Sequence, residues 1–348
     1  MSRSTLERSL HPFSGVLEIE LGRLEHSWDA VSEALLRYAE DERYAAAVAS
    51  LLSRVAHKHL SSQPYYRRYF RLWEASGFHL TPVHFYSPIP DTRMLHEDLW
   101  EQASELPGVG MNDDVQLRLL REAFPEFRDE YETIPFEPSG APHEFFFNNG
   151  MFSGTDALAL YCMVRHFRPG LVIEVGSGFS SLLSAQALRK NGRGELVCIE
   201  PYPSPPLVDG FPGLTTLIAE RVQDVDPQLF DRLGEHDILF IDSSHVVQIG
   251  GDVNHLFLEV IPRIKPGVLV HVHDVYLPHE YRKKWVLEEL RFWSEQYILR
   301  AFLAFNSEFE VLLCNSYLRD RYLEELMNAF PRSPWWGGGS FWMRRRPA

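Results

Sequence analysis

Along the first part of the chain, apolar positions recur every three or four residues. From Leu24 to Leu60 the series Trp28, Val31, Leu35, Leu36, Tyr38, Ala45, Val48, Leu51, Leu52 and Val55 draws one stripe, which predicts an amphipathic helix or a pair of them. Tyr65 to Trp73 continues in that style, and His79 to Asp91 (HLTPVHFYSPIPD) breaks it with three prolines. Val83, Phe85, Tyr86 and Ile89 are too apolar for a solvated linker, so an ordered loop with covered side chains is expected there. Two further helical stretches, Val115 to Phe124 and Glu126 to Tyr131, lead to a polar passage from Pro135 to His143.

After Gly150 the period changes. Thr155 to Phe167 has one apolar face and stops at Arg168-Pro169-Gly170. Leu171 to Val175 then reads as a short buried strand, and after a glycine turn Ser181 to Lys190 reads as a second helix. Strand-like runs follow at Glu195 to Glu200, Leu214 to Ala219, Asp237 to Asp242 and Val268 to Val272, with a helix near Asp252 to Val260. That alternation predicts an α/β fold with a mostly parallel sheet covered on both faces. A helix from Tyr281 to Tyr297 is expected next. Leu299 to Asn306 and Glu308 to Asn315 then read as an antiparallel closing hairpin, and Gly337 to Met343 as an edge strand or a flap. The chain therefore divides, on pattern alone, into a mainly helical N-terminal extension, residues 1–145, and an α/β domain, residues 146–348.

Composition narrows the functions open to such a chain. Of 348 residues, 34 are Lys or Arg and 48 are Asp or Glu, a net charge of −14, with no basic run longer than Arg344-Arg345-Arg346. This disfavours nucleic acid and anionic membrane surfaces as partners. The first twenty residues lack the apolar core of a signal peptide, and no apolar run is long enough to span a bilayer. Cys162, Cys198 and Cys314 lie apart in apolar stretches and read as buried thiols, which fits a cytoplasmic protein.

Ligands of parallel sheets bind beyond the strands' carboxyl ends where the strand order reverses, which directs attention to Glu174-Val175-Gly176-Ser177-Gly178-Phe179-Ser180-Ser181. Two glycines allow a tight turn and close approach of a ligand to the backbone. A carboxylate, Glu174, precedes the turn, and a second, Glu200, closes the next strand, where it is suited to both hydroxyls of a ribose. Glu174 would repel a pyrophosphate, and Ser181 replaces the third small residue of a dinucleotide site. A cationic nucleoside fits both features better. The turn also lacks the Lys-Ser/Thr pair of a P-loop.

Four segments, EVGSGFSS, CIEP, DILFIDSSH and PGVLVHVHD, together resemble the class I S-adenosylmethionine-dependent methyltransferases, in particular the small-molecule O-methyltransferase-like branch (family 24-like), over about Asn148 to Asn315. The resemblance implies a Rossmann-like fold with a mostly parallel seven-stranded sheet. It also implies that Glu174, Gly176, Ser177, Gly178 and Ser181 hold the methionine part of the cofactor, that Glu200 holds its ribose, that the adenine lies near Val222, Gln223 and Asp224, and that Asp242 borders the cofactor.

Asp242 and Asp274 end strands expected to be neighbours, so their carboxylates should face one another and need a cation or a shared proton. A divalent metal (Mg²⁺, Mn²⁺ or Ca²⁺) held by Asp242, Asp274 and His273 answers this, although His273 stands where similar enzymes carry a second acid. Direct hydrogen bonding of these groups to substrate or to neighbouring loops is the alternative. His245, with Asp242, is the candidate catalytic pair, His245 serving as general base. His271 reads as a satisfied core histidine, and Tyr276, His279 and Tyr281 as pocket lining or loop packing. The expected activity is O-methylation of a small-molecule hydroxyl. Two rivals stand beside it: another reaction on the same fold, such as metal-assisted hydroxylation, and a cofactor-binding assembly module without turnover. Trp335-Trp336 fits either a contact between copies of a homo-oligomer or closure over the pocket.

Overall fold

The computed structural model describes residues 73–81, 83–140 and 143–347, together with scattered positions between 42 and 71. Two compact units divide at Asp91/Thr92. Most of the stripe from Leu24 to Leu60, and much of Tyr65 to Trp73, lies outside the described residues. Those that are described there, such as Glu42, Arg43 and Ser50, are helical. The described part of His79 to Asp91 carries no helix or strand. Phe85 and Tyr86 stay exposed instead of being covered, and Phe85 stacks on the His84 ring at 4.2 Å.

The larger unit begins at Thr92, upstream of the break at residue 145 that the change of period suggested. Phe124 and Tyr131 are fully buried in its core. The Tyr131 hydroxyl donates to the Ala329 carbonyl at 2.5 Å, and Gln116 accepts the Cys314 amide at 2.9 Å. These contacts tie the passage before residue 145 to the last third of the chain.

Seven strands form one sheet: β1 (Leu171–Val175), β2 (Glu195–Ile199), β3 (Thr216–Ile218), β4 (Ile238–Ile241), β5 (Leu269–Val272), β6 (Phe309–Cys314) and β7 (Phe341–Arg345). Their order is β3-β2-β1-β4-β5-β7-β6, with β7 running antiparallel to the other six. The order reverses at β1, so the carboxyl edge of β1 and β4 is the switch point. All five β1 residues are buried, as a strand covered on both faces requires. Alternation along the strands divides the core in two. Val172, Leu196, Cys198 and Phe240 pack under α1 (Gly154–Phe167) and α2 (Phe179–Asn191), while Ile173, Val197, Leu239 and Ile241 pack against the helical segment around Val253–Ile264.

Three expectations are corrected in the last third. The helix expected from Tyr281 to Tyr297 is broken into α3 (Lys283–Leu287) and α4 (Glu295–Leu303), joined by irregular backbone. The first arm expected for the closing hairpin is therefore largely helical. Ile298, Leu299, Phe302 and Leu303 fall on one face of α4 at helical spacing and meet the core, which outweighs their β-like composition. The antiparallel partner of β6 is β7, inserted between β5 and β6 and not at an edge, with Phe341 paired to both Val272 and Cys314. Among the described residues no helix is long and apolar enough to cross a membrane, and all three cysteines are buried.

Asp156 on α1 anchors the start of β7. Its carboxylate accepts the amides of Gly339 (2.9 Å) and Ser340 (2.8 Å) and the side-chain amide of Asn315 (2.8 Å). Burial works against its charge, but His273 and these donors hold its pKa below the usual carboxylate value. Removing it leaves buried donors unpaired, so Asp156→Ala should lower unfolding free energy by about 3 kcal/mol, read as a shifted denaturation midpoint with unchanged m-value. A shift within error would show that β7 is held by its strand pairing alone.

Candidate active site

β1 runs into the turn Gly176-Ser177-Gly178, where Gly176 has φ +79°. A Cβ on Gly176 would lie 1.7 Å from the Asp242 carbonyl oxygen, so only glycine lets the turn rest on the end of β4. Gly176 N donates to Ile199 O (3.0 Å) and Asp242 N to Val175 O (2.8 Å), stitching the ends of β1, β2 and β4 into one ledge. Above Gly178 the space is open. Glu200 accepts the amides of Ser177 (3.3 Å) and Tyr202 (2.8 Å), which fixes its carboxylate beside the turn.

Two cavities meet at this ledge. The larger, about 800 Å³, is lined by Ser177, Gly178 and Phe179, by Asp156, Asp242, His245, His273 and Asp274, and by an aromatic group of Phe152, Tyr276, Trp285, Trp293 and Trp335. The smaller, about 440 Å³, is lined by Ile199, Tyr202, Val222, Gln223 and the backbone near Gly250. Gly176, Glu200 and Asp242 border both.

On the floor of the larger cavity, two imidazoles lie among carboxylates. His245 has its Nδ1 2.8 Å from Glu295, and its Nε2 3.3 Å from Asp242 and 3.6 Å from Asp274. His273 has its Nδ1 3.5 Å from Asp242 and 3.8 Å from Asp274, with Nε2 3.6 Å from Asp156. Burial opposes a positive charge on His245, yet the Asp242 and Glu295 carboxylates outweigh it and lift its pKa to about 10. For His273 the same opposition of burial to neighbouring Asp274 and Asp242 also ends in a strongly raised pKa. Asp242 is held well below the ordinary carboxylate range, because the two imidazoles outweigh the cost of its burial. Asp242, His245 and Asp274 each offer a ligand atom within 4.8 Å of the others.

A methyltransferase-domain family matches residues 173–275. An uncharacterized protein of Archaeoglobus fulgidus is 36% identical over 170 residues, 45% of this chain and 75% of that protein. Residues 173–275 carry a methyltransferase domain. Among solved structures, the O-methyltransferase from Bacillus cereus in complex with SAH is similar at 14% identity, covering 68% of this chain and 91% of that one with a TM-score of 0.34. The plantazolicin methyltransferase in complex with SAH is similar at 10% identity, over 68% and 97% of the two chains, with a TM-score of 0.35.

Around this domain Gly176, Ser177, Gly178, Glu200, Gln223 and Asp242 all reach a cavity, whereas Glu174 and Ser181 do not. Glu174 shares strand parity with Val172 and faces α2. Its carboxylate is fully buried and accepts the hydroxyls of Ser180 (2.6 Å) and Ser181 (2.7 Å), with Ser184 at 3.5 Å. Ser181 also accepts the Gly178 amide (3.1 Å), so the pair braces the turn from beneath. The group of ligand atoms within 4.8 Å of one another contains His245 with Asp242 and Asp274, and not His273. His271 is a core residue, stacked on Phe240 at 4.0 Å and bonded to the Ser340 hydroxyl at 2.9 Å. Tyr276 lines the cavity and donates to Asp274 (3.1 Å), while His279 pairs with Asp320 and Tyr281 is buried, accepting the Gln296 amide at 3.0 Å. Trp335 lines the cavity and Trp336 donates to the Phe330 carbonyl at 3.0 Å. The sequence reading missed Asp156, Ser180 and Glu295. An acid within the apolar face of TDALALY was the available signal for Asp156, whereas Glu295 had none.

Burial, only partly offset by the serines, raises the Glu174 pKa from 4.5 to about 7. Between those values the folded chain keeps a proton that the unfolded chain has released, so stability falls as pH rises across that window and the cost persists above it. Glu174→Gln keeps the serine acceptor without the charge. It should be more stable than the parent at pH 8, by about 3 kcal/mol, and equal to it at pH 4. Chemical denaturation of both proteins across this range checks the difference, and a pH-independent gap would remove the charge argument.

Proposed function

We propose that this methyltransferase transfers a methyl group to the hydroxyl oxygen of a small molecule seated in the larger cavity. The observation that carries this reading is the ledge shared by two cavities, with a nucleoside-sized space on one side and an acid-imidazole floor on the other. The glycine turn, open above Gly178, fits S-adenosylmethionine: Gly176, Ser177 and Gly178 would hold its methionine part, Glu200 its ribose and Gln223 its adenine, with Asp242 at the boundary. Glu174 and Ser181 serve the same end by fixing the turn from below. When bound, this group supplies a methyl already activated by its sulfonium.

What remains for the chain is alignment, exclusion of water and removal of the hydroxyl proton. The Asp242 and Glu295 carboxylates raise the pKa of His245 and so favour its protonated form, which works against a role as general base. The donor set favours a different role. Glu295 engages Nδ1, which leaves Nε2 directed toward Asp242 and Asp274, the arrangement of a carboxylate-oriented metal ligand. Asp242, His245 and Asp274 would hold a divalent cation, which lowers the pKa of a bound hydroxyl.

The test is methyl transfer from S-adenosylmethionine to a panel of hydroxylated small molecules, followed by SAH and product formation with Mg²⁺, Mn²⁺ or a chelator. Turnover should require the cation. Asp274→Asn and His245→Gln should each lower kcat about a hundredfold while SAH affinity changes little. Full turnover in chelator, or in Asp274→Asn, would sink the metal role. SAH binding without product for any hydroxyl acceptor would favour a non-catalytic module.

A further inference from the structure

One wall of the larger cavity is built from neighbouring aromatic and cationic side chains. The Arg282 guanidinium lies 4.8 Å from the Tyr276 ring centre and 5.0 Å from that of Trp285. Arg291 lies 5.3 Å from Trp285 and 5.1 Å from Trp293. Both arginines line the cavity. In a continuous helix, Trp285 and Trp293 would be separated by roughly 12 Å along the axis. In the structure their rings are 5.1 Å apart, because the chain folds back after α3 and the Arg291 amide donates to the Trp285 carbonyl at 2.8 Å. The break in the expected helix is what assembles this wall.

The wall is continuous with the acid-imidazole floor. Trp293 packs on His245 at 4.4 Å between ring centres, and the Tyr276 hydroxyl donates to Asp274 at 3.1 Å. Arg291 is partly neutralised by Glu289 at 3.0 Å. Arg282 forms no ion pair among the described residues. It lies against both rings, and among the described residues its N–H donors meet no acceptor, so they are available to an oxyanion.

We propose that the methyl acceptor carries an anionic oxyacid group, a carboxylate or phosphate, which Arg282 binds with support from Arg291, while the hydroxyl to be methylated points to the Asp274 side. This assignment deepens the methyltransferase reading and rests on it. The acids of the floor favour the cationic methyl donor, and the arginine wall receives the opposite charge of the acceptor.

The test uses the full chain with SAH present and two matched probe series, hydroxybenzoates and the corresponding hydroxybenzamides, followed by tryptophan fluorescence, to which Trp285, Trp293 and Trp335 at the cavity contribute. Benzoates should bind about tenfold more tightly than amides, and high salt should narrow the gap. Arg282→Gln should abolish the preference, while amide binding, SAH affinity and the thermal midpoint stay unchanged. Arg282→Lys should retain part of it. In turnover the same variant should raise KM for the acid without lowering kcat. Equal binding of acids and amides, no response to either series, or an undiminished acid preference in Arg282→Gln would overturn the proposal. Failure to bind SAH would instead count against the methyltransferase reading, and the benzoate-amide comparison would still judge the anion site by itself.

Discussion

Negative charge crowded at one edge of an apolar sheet is the constraint around which this molecule is arranged. Asp156, Glu174, Asp242, Asp274 and Glu295 are buried or half-buried within reach of one another's neighbours, and Glu200 stands at the rim. Removing a carboxylate from water costs several kcal/mol unless it is paired, and the chain pairs each one differently. Glu174 receives serine hydroxyls, Asp156 receives two backbone amides and an asparagine, and Asp242 receives two imidazoles. The first two solutions are complete within the protein and brace the turn and β7. The third is not. Imidazoles at 3.3 to 3.8 Å from Asp242 and Asp274 are neighbours more than bonded partners, and a cation of higher charge at the same place would satisfy both acids better.

Much of this was legible in the sequence because it is local. A buried strand, a glycine turn and a carboxylate at the end of the next strand need only alternation and spacing, and the neighbouring strands that bring Asp242 to Asp274 follow from the alternation of elements. Strand parity also held the answer for Glu174: two residues after Val172, it shares that residue's face and turns toward α2, not toward the cavity. The likeness to a family pattern pointed the other way, and the geometry favours parity.

What escaped the sequence is long-range. Nothing local to Phe341–Arg345 says that it will insert between β5 and β6, since its partners there, and Asp156 that holds the amides just before it, lie far away in sequence. Glu295 joins the site only because α4 starts where it does: the Ser294 and Glu295 amides both donate to the His245 carbonyl, at 2.8 and 3.1 Å. The run from Tyr281 to Tyr297 has no proline or glycine to signal an interruption. Local propensity favours one helix, and packing of Trp285, Arg291 and Trp293 on one another overrides it.

The charge of the whole chain bears on the same region. At −14 the molecule repels anions at a distance, and that repulsion is screened beyond roughly 8 Å at physiological ionic strength. Inside that length the nearest charges decide, and at the aromatic wall they are Arg282, without a carboxylate partner among the described residues, and Arg291 with its partner Glu289. Contact with the Tyr276, Trp285 and Trp293 rings limits the rotamers these long side chains can sample, so less entropy is lost when a ligand meets them. A net acidic protein can thus offer a cationic wall and an acidic floor within one cavity, because each is organised by contacts shorter than the screening length.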